Sequence, residues 1–166
     1  MNDDVFRIVF VCLGNICRSP MAEVVMRSFV EQAGLSDRIA VASAGTGDWH
    51  VGERADPRTV EILAGRGYDG SAHRARQFEA SWFDDYDLVV ALDAANLAEL
   101  RRLAPYDRRD DVRLLRAYDP TLGADVGDLD VPDPYYGGPE GFGEALSMVE
   151  RACRGLLDDV VARIGR

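Results

Sequence analysis

The feature that most constrains the fold is an apolar run at residues 5–11 that leads directly into a loop containing Gly and Asn. The run is rich in β-branched and aromatic residues without clean polar alternation, which is typical of a parallel strand covered on both faces. Ser19 and Pro20 then give a helix start, with Ser at the cap and Pro at the first helical position. We expect this helix to run to about Ala33 and to stop at Gly34. Strand, loop and helix in this order predict an α/β unit.

The same alternation continues along the chain. Further strands are predicted at residues 39–43, 87–92 and 112–115, and further helices at 57–65 and 94–103. A last, amphipathic helix is predicted from apolar residues spaced three and four apart, namely Phe142, Leu146, Val149, Cys153, Leu156, Val160 and Ile164. We predict one α/β domain over residues 1–166: a doubly wound, central parallel four-stranded sheet flanked by helices, in the flavodoxin-like order 2-1-3-4. Residues 118–143 are rich in Pro, Gly and Asp, and a loop of that length predicts a functional role.

Composition narrows the classes of partner. The 166 residues include 19 basic and 29 acidic side chains, a net charge of −10, which disfavours binding to nucleic acid or to an anionic membrane. The acidic start and the short, Arg-interrupted apolar run predict no signal peptide and no membrane span, so we expect a cytoplasmic protein. The cysteines number three, and an odd number favours reduced thiols over a disulfide framework. Three cysteines and two histidines offer few ligands for a zinc site. We expect no metal and no cofactor.

The loop after the first strand carries the chemistry. Cys12 stands at the carboxyl end of the strand and Arg18 follows six residues later, at the helix start. Gly14 and Asn15 tolerate left-handed backbone angles, so successive N–H groups can turn inward and bind an oxyanion beside the positive end of the helix dipole. The Arg18 guanidinium can then bind two phosphate oxygens. The same field stabilises a thiolate at Cys12, and Ser19 can donate a hydrogen bond to its sulfur.

Cleavage of a phosphate ester by a thiolate, without metal, would also need an acid to protonate the leaving oxygen. Asp-Pro pairs supply three candidates, Asp56, Asp119 and Asp133. Asp56 suits a helix cap and Asp119 a turn, but the residues alone do not decide among the three.

The loop sequence Cys-Leu-Gly-Asn-Ile-Cys-Arg-Ser-Pro-Met-Ala-Glu, residues 12–23, resembles the signature of the low-molecular-weight protein tyrosine phosphatases of bacterial type. The resemblance continues through residues 43–46, residues 71–76, the pair Asp93 and Asn96, and residues 133–136. It therefore covers nearly the whole chain.

This resemblance implies hydrolysis of phosphotyrosine through a phosphocysteine on Cys12, with Arg18 binding phosphate and Asp133 acting as acid and then base. The implied phosphate-binding loop residues are Leu13, Gly14, Asn15, Ile16, Cys17 and Ser19. The implied supports of the loop are Ser43 and His73, and the implied walls of the substrate slot are Trp49, Tyr135 and Tyr136. Expected partners are phosphotyrosine proteins or peptides, with inorganic phosphate, sulfate or vanadate as ligands or inhibitors, and we expect a monomer or weak dimer.

Cys17 is the second thiol of the loop, and the resemblance implies that it traps oxidised Cys12 as a reversible disulfide. The alternative is a packed thiol beside the loop. Cys153 has the spacing of a core residue in the last helix.

Other functions share this loop. Arsenate reductases of the same fold need two further redox cysteines. In this sequence, Cys153 is the single cysteine outside the loop. Protein-arginine phosphatases typically carry Thr where this chain has Ile16, so the apolar residue favours tyrosine. A non-catalytic phosphate-binding or thiol-sensing module is the third alternative, although Cys12, Arg18 and Asp133 leave no catalytic part missing.

Overall fold

The computed structural model describes residues 4–123 and 127–165. The strands are β1 (Phe6–Cys12), β2 (Ile39–Gly45), β3 (Leu88–Ala91) and β4 (Val112–Leu114). The α-helices are α1 (Arg18–Gln32), α2 (Pro57–Gly65), α3 (Ala94–Leu103) and α4 (Pro139–Ile164). Short 3₁₀ helices cover Ala80–Asp84, Tyr106–Asp111 and Leu115–Tyr118, and the sequence analysis did not predict them.

The strands form a parallel sheet in the order β2-β1-β3-β4, which confirms the predicted fold class and strand order. β1 lies between β2 and β3, and its residues 8–11 are completely buried. Cys12, the last residue of β1, is in register with Gly45, the last residue of β2. The end of the central strand therefore places Cys12 at the carboxyl edge, where ligands bind in open α/β sheets.

The side chains of β1 alternate between two apolar cores. Ile8 and Phe10 pack with residues of α1, α2 and α4 on one face of the sheet. Val9 and Val11 pack on the other face with Leu100 of α3 and with the segment that precedes β3. Cover on both faces explains why the run lacks polar alternation.

The predicted start of the first helix is wrong by two residues. Arg18, rather than Pro20, is its first residue, and Cys17 stands at the cap without a side-chain capping bond. The loop that follows Cys12 therefore continues directly into the helix. Side chains do not cap this end, so its N–H groups can face an anion. The predicted stop is close: Ala33 is the C-cap, and Gly34 has the left-handed φ of 72°.

The long loop is shorter than predicted. Tyr118 belongs to a 3₁₀ helix, and α4 begins at Pro139, so the prediction of loop up to Gly143 is wrong. The first turn of α4 contains Pro139 and Glu140, which suit a helix start without adding to the apolar pattern that was used to find the helix. Residues 124–126 of the predicted loop lie outside the described residues.

The remaining boundaries agree closely. The predicted limits of α2 and α3 are confirmed, and the strand limits differ by one or two residues. Over residues 4–123 and 127–165, no helix combines the length and the apolar character needed to cross a bilayer.

Candidate active site

A cavity of about 410 Å³ opens at the carboxyl edge of the sheet, above the end of β1. Its lining comes from the phosphate loop (residues 12–18), from the loop after β2, and from residues 127–138, the acid loop. The lining residues are Cys12, Leu13, Gly14, Ile16, Cys17, Arg18, Trp49, His50, Asp133, Tyr135 and Tyr136. Residues that the sequence analysis took from three distant segments thus lie around one cavity.

The Cys12 thiol is only 3% exposed and lies close to two donors. The N–H of Asn15 donates to Sγ at 3.3 Å, and the Ser19 hydroxyl lies 2.9 Å from Sγ. Ser19 also lies 3.3 Å from the carbonyl oxygen of Ala44. A hydroxyl has one proton, so when Cys12 is a thiolate, Ser19 donates to the sulfur. Two donors are therefore placed to hydrogen-bond the Cys12 sulfur.

Asn15 organises the phosphate loop from inside. It is fully buried and has a left-handed φ of 58°, which Asn tolerates better than most residues. Its amide nitrogen donates to Ser19 at 2.8 Å and to Ser43 at 3.0 Å, and its side-chain oxygen accepts from the N–H of Arg76 at 2.9 Å. Its carbonyl oxygen accepts from Nε2 of His73 at 2.7 Å. These bonds fix the turn in which the Asn15 N–H points at Sγ of Cys12.

Two of the residues that bond to Asn15 also contact a carboxylate of α1. The Ser43 hydroxyl donates to Glu23, a residue of α1, and Nδ1 of His73 lies 4.0 Å from the same carboxylate. Burial lowers the pKa of His73 below its ordinary value, so the ring is held neutral. A carbonyl only accepts, so Nε2 of the neutral ring carries the proton. Glu23 was not predicted as a site residue, since its position in the sequence indicates only a residue of the first helix.

Gly14 has a steric role rather than a left-handed one. Its φ is not positive, unlike that of Asn15. A Cβ at Gly14 would lie 3.0 Å from the His50 ring, and one at Gly45 would lie 2.6 Å from the carbonyl oxygen of Leu13. Both glycines therefore allow close packing around the phosphate loop.

Arg18 lines the cavity and is 3% exposed. Its Nη1 donates to Asp93 at 2.6 Å and to the carbonyl oxygen of Val131 at 2.9 Å. Within the described chain, Nε and Nη2 have no hydrogen-bond partner, so one edge of the guanidinium is left for a bidentate oxyanion. Burial alone would lower the pKa of Arg18. The negative charge of Cys12, with that of Asp93 and Asp133, raises the guanidinium pKa instead.

Of the three Asp-Pro candidates, Asp133 is the one that lines the cavity. Its carboxylate lies 3.7 Å from Nη2 of Arg18, accepts a bond from the N–H of Tyr135 at 3.1 Å, and is 39% exposed. A carboxyl group that is both close to Arg18 and open to the cavity can reach a departing oxygen.

Asp56 and Asp119 are engaged elsewhere. Asp56 caps α2 through the N–H of Arg58, and bonds from the Arg58 guanidinium lower the pKa of Asp56. Burial of Asp119 opposes its ionisation, but bonds from Thr121 and Arg151 hold the pKa of Asp119 below its usual value. Both carboxyls are therefore poor proton donors.

The mouth of the cavity is aromatic. Trp49 is 67% exposed and Tyr136 92% exposed, while Tyr135 is partly buried. The rings of Tyr135 and Tyr136 stand edge to face, with centroids 4.9 Å apart. A Cβ at Gly47 would overlap the Trp49 ring, so the indole packs directly on that backbone. His50 also lines the cavity, and no sequence signal singled it out.

Arg58 was also missed, because its contacts join distant segments. Its guanidinium stacks on the Tyr135 ring at 5.3 Å and on the Phe142 ring of α4 at 4.6 Å, while bonding Asp56 through two nitrogens. The acid loop is thereby attached to α2 and α4.

The three thiols are free and buried. Burial, followed by the nearby charge of Asp56, raises the pKa of Cys17 to about 12. Cys153 is completely buried in the α4 core, and burial raises its pKa as well. Cys153 is therefore unsuited to the redox chemistry that an arsenate reductase requires.

The family model of the low molecular weight phosphotyrosine protein phosphatases matches residues 7–165. A low molecular weight protein-tyrosine-phosphatase of Streptomyces coelicolor is 62% identical over 153 residues, covering 92% of each chain. The crystal structure of a protein tyrosine phosphatase from Entamoeba histolytica, with Hepes in its active site, superposes with a TM-score of 0.87 at 34% identity, covering 93% of this chain and 96% of that one.

An arginine phosphatase of Drosophila has the same fold, with a TM-score of 0.83 and 32% identity over 92% of this chain and 96% of that one. The fold alone therefore does not distinguish a tyrosine phosphatase from an arginine phosphatase. The family match over nearly the whole length, together with the cavity around Cys12, shows that the chain belongs to the low molecular weight phosphotyrosine protein phosphatase family.

Proposed function

We propose that this protein is a protein-tyrosine phosphatase that hydrolyses phosphotyrosine and small aryl phosphates through a phosphocysteine on Cys12, without metal or cofactor. One observation carries the proposal: Cys12, Arg18 and Asp133 line the same cavity, with a hydroxyl 2.9 Å from the sulfur. A nucleophile, an anion-binding group and an acid are what phosphate ester hydrolysis needs.

In the first step, the Cys12 thiolate attacks phosphorus, and the S–P bond forms as the P–O bond to the phenol breaks. Protonated Asp133 gives its proton to the phenol oxygen and becomes a carboxylate. In the second step, a water attacks phosphorus and gives a proton to Asp133, while the S–P bond breaks. Phosphate leaves, and the Cys12 thiolate and protonated Asp133 are restored.

The phosphate loop binds the transferred group. N–H groups of the loop surround the phosphoryl oxygens, and the free edge of Arg18 binds two of them. The loop residues proposed for this site are Leu13, Gly14, Asn15, Ile16, Cys17 and Ser19. Ser43 and His73 hold the loop through Asn15. Phosphate, sulfate and vanadate should occupy the same site and inhibit.

The aromatic mouth sets the substrate class. Trp49, Tyr135 and Tyr136 wall a slot in which a phenyl ring stacks, with the phosphate at the level of Cys12. A serine side chain is too short to bring its phosphate to that depth. Ile16 is only 8% exposed and lines the cavity with an apolar surface, which supports tyrosine over arginine.

Cys17 is proposed as a redox guard. If Cys12 is oxidised to a sulfenic acid, the Cys17 sulfur attacks it, the new S–S bond forms, and water leaves. Because the pKa of Cys17 is raised to about 12, this reaction should be slow near neutral pH.

We further propose one domain over residues 1–166, acting in the cytoplasm on phosphotyrosine proteins as a monomer or weak dimer. The family match over residues 7–165 supports the extent of the domain. The net charge of −10 supports the absence of nucleic-acid and anionic-membrane partners.

The test compares hydrolysis of phosphotyrosine, phosphoserine and phosphoarginine in the presence of a metal chelator. The expected result is hydrolysis of phosphotyrosine, inhibition by vanadate, and activity at background in Cys12→Ser. The matched control is Cys153→Ala, another buried thiol, which should stay active. Full activity in Cys12→Ser would refute the nucleophile, and preference for phosphoarginine would refute the substrate.

A further inference from the structure

A second cavity, a groove of about 700 Å³, lies beside the slot along α2. It shares Ile16, His50 and Tyr135 with the cavity above Cys12. These shared residues join the two spaces, so a peptide whose phosphotyrosine fills the slot has the groove next to it.

The far wall of the groove is mostly apolar. Ala55, Pro57, Val60 and Ala64 contribute to it, and Pro57 and Ala64 are exposed. An apolar surface open beside a proposed active site can bind an apolar side chain from the same ligand.

Some charged side chains that line the groove have bonding partners, and others do not. Glu53 is bonded to the His50 ring, and the Asp56 carboxylate is bonded to Arg58. Arg54 is exposed and, over residues 4–123 and 127–165, has no hydrogen-bond, ion-pair or ring partner. Glu61 is also exposed, one turn further along α2 than Pro57. Of the two charges that line the groove and are unpaired within the described residues, the one nearer in sequence to His50 is therefore positive, and Asp48 lies outside the groove lining.

From this continuity and charge we infer that the groove binds the substrate segment flanking the phosphotyrosine. An apolar side chain of that segment packs on Val60 and Ala64, and an acidic side chain pairs with Arg54. The inference rests on the proposed phosphatase activity and specifies its substrate class: phosphotyrosine peptides with one apolar and one acidic residue close to the phosphotyrosine.

The first experiment measures kcat/KM for an alanine-flanked phosphotyrosine peptide, with Leu introduced at each flanking position in turn. At one position Leu should raise kcat/KM about tenfold, since it buries much of an apolar side chain. Ala64→Arg should abolish that gain while leaving para-nitrophenyl phosphate hydrolysis unchanged, because that substrate fills only the slot. The matched control is Ala98→Arg, which alters another exposed helical alanine, on α3.

The second experiment exchanges charges. Glu at one flanking position should raise kcat/KM about threefold over Lys, as expected of an exposed ion pair. Arg54→Glu should reverse that order. The inference is overturned if no position responds to Leu, if the Leu gain survives in Ala64→Arg, or if Arg54→Glu leaves the charge preference unchanged. If the unmodified protein fails to hydrolyse para-nitrophenyl phosphate, the proposed function itself is wrong, so the two failures are distinguishable.

Discussion

The phosphate loop and the acid loop meet above Cys12 but are built differently. In the phosphate loop, Asn15 is fully buried, and its side chain and carbonyl are satisfied by four hydrogen bonds. In the acid loop, Asp133 is 39% exposed and Tyr136 is 92% exposed. That loop is held at a few points, chiefly at buried Val131, whose N–H donates to Leu92 and whose carbonyl accepts from Arg18.

The difference matches the tasks proposed for the two loops. A small, invariant phosphoryl group is best bound by donors fixed in advance. A group that protonates a phenol oxygen and then accepts a proton from water needs access to two positions. Substitutions in the two loops should therefore have different signatures: loss of stability and binding in the phosphate loop, and loss of turnover alone in the acid loop.

Among variants that keep the Cys12 thiol, the largest effect is expected in the acid loop. Asp133→Asn should lower kcat for phosphotyrosine by about 10²- to 10⁴-fold with little change in KM, because it removes the acid without touching phosphate binding. Steady-state kinetics of phosphotyrosine hydrolysis measure this. Asp128→Asn, which alters another exposed aspartate of the acid loop, is the control and should be near normal. An equal loss of turnover in Asp119→Asn would transfer the acid role to that residue.

The second effect concerns the phosphate loop. Asn15→Ala leaves the hydroxyls of Ser19 and Ser43 and the N–H of Arg76 without this partner, and it places Ala at a left-handed φ. We expect a loss of about 2 kcal/mol in the free energy of unfolding, measured with urea, together with weaker phosphate binding. Asn15→Gly loses the same hydrogen bonds but tolerates the left-handed φ, so it should be more stable than Asn15→Ala. Unchanged stability in Asn15→Ala would mean that the loop is not fixed by this side chain.

A smaller effect is expected where the acid loop is attached to α2. Arg58→Met removes the stacking on Tyr135 and should lower kcat about fivefold, since Asp133 would be less well positioned. Arg58→Lys, which keeps the charge, should recover part of the rate. Arg154→Met removes a similar stack on Phe29 and is the control. Equal losses in both Met variants would show a general effect on stability instead.

The smallest effect is the response of the phosphate-loop support to pH. Because burial lowers the pKa of His73, the unfolded chain binds this proton more readily than the folded protein. This contribution to stability is complete above the ordinary histidine pKa of about 6.5 and is lost as the pH falls from there toward the folded-state pKa. Urea midpoints across that range should therefore fall more steeply in the unmodified protein than in His73→Gln. Parallel curves would contradict a buried, neutral His73.

The predictable parts of the site are local in sequence. The strand before Cys12, the left-handed Asn15 and the position of Arg18 follow from neighbouring residues, as do the limits of α2. The parts that were missed depend on contacts between distant segments. Arg58 touches both the acid loop and α4, and His50 packs beside Gly14. The spacing of residues does not report such contacts.

Asp133 illustrates the same division. Three aspartates precede proline, and each one alone is compatible with a turn or a cap. The family resemblance points to Asp133, and the folded chain gives the physical reason, because it engages Asp56 with Arg58 and Asp119 with Arg151 and leaves Asp133 at the cavity. Similarly, the apolar repeat of α4 starts at Phe142 and so gives no sign of the helical turn at Pro139.

The central claim is that the phosphoryl group passes through Cys12 while Asp133 serves both proton transfers. Rapid quenching of Asp133→Asn with para-nitrophenyl phosphate tests it most directly, since this leaving group needs little protonation whereas release of phosphate from the enzyme still needs the base. We predict a burst of nitrophenol equal to the enzyme concentration, with fragmentation mass spectra placing one phosphoryl group on Cys12. Phosphate on Cys17 or on any other residue, or turnover without a phosphorylated enzyme, would contradict the account.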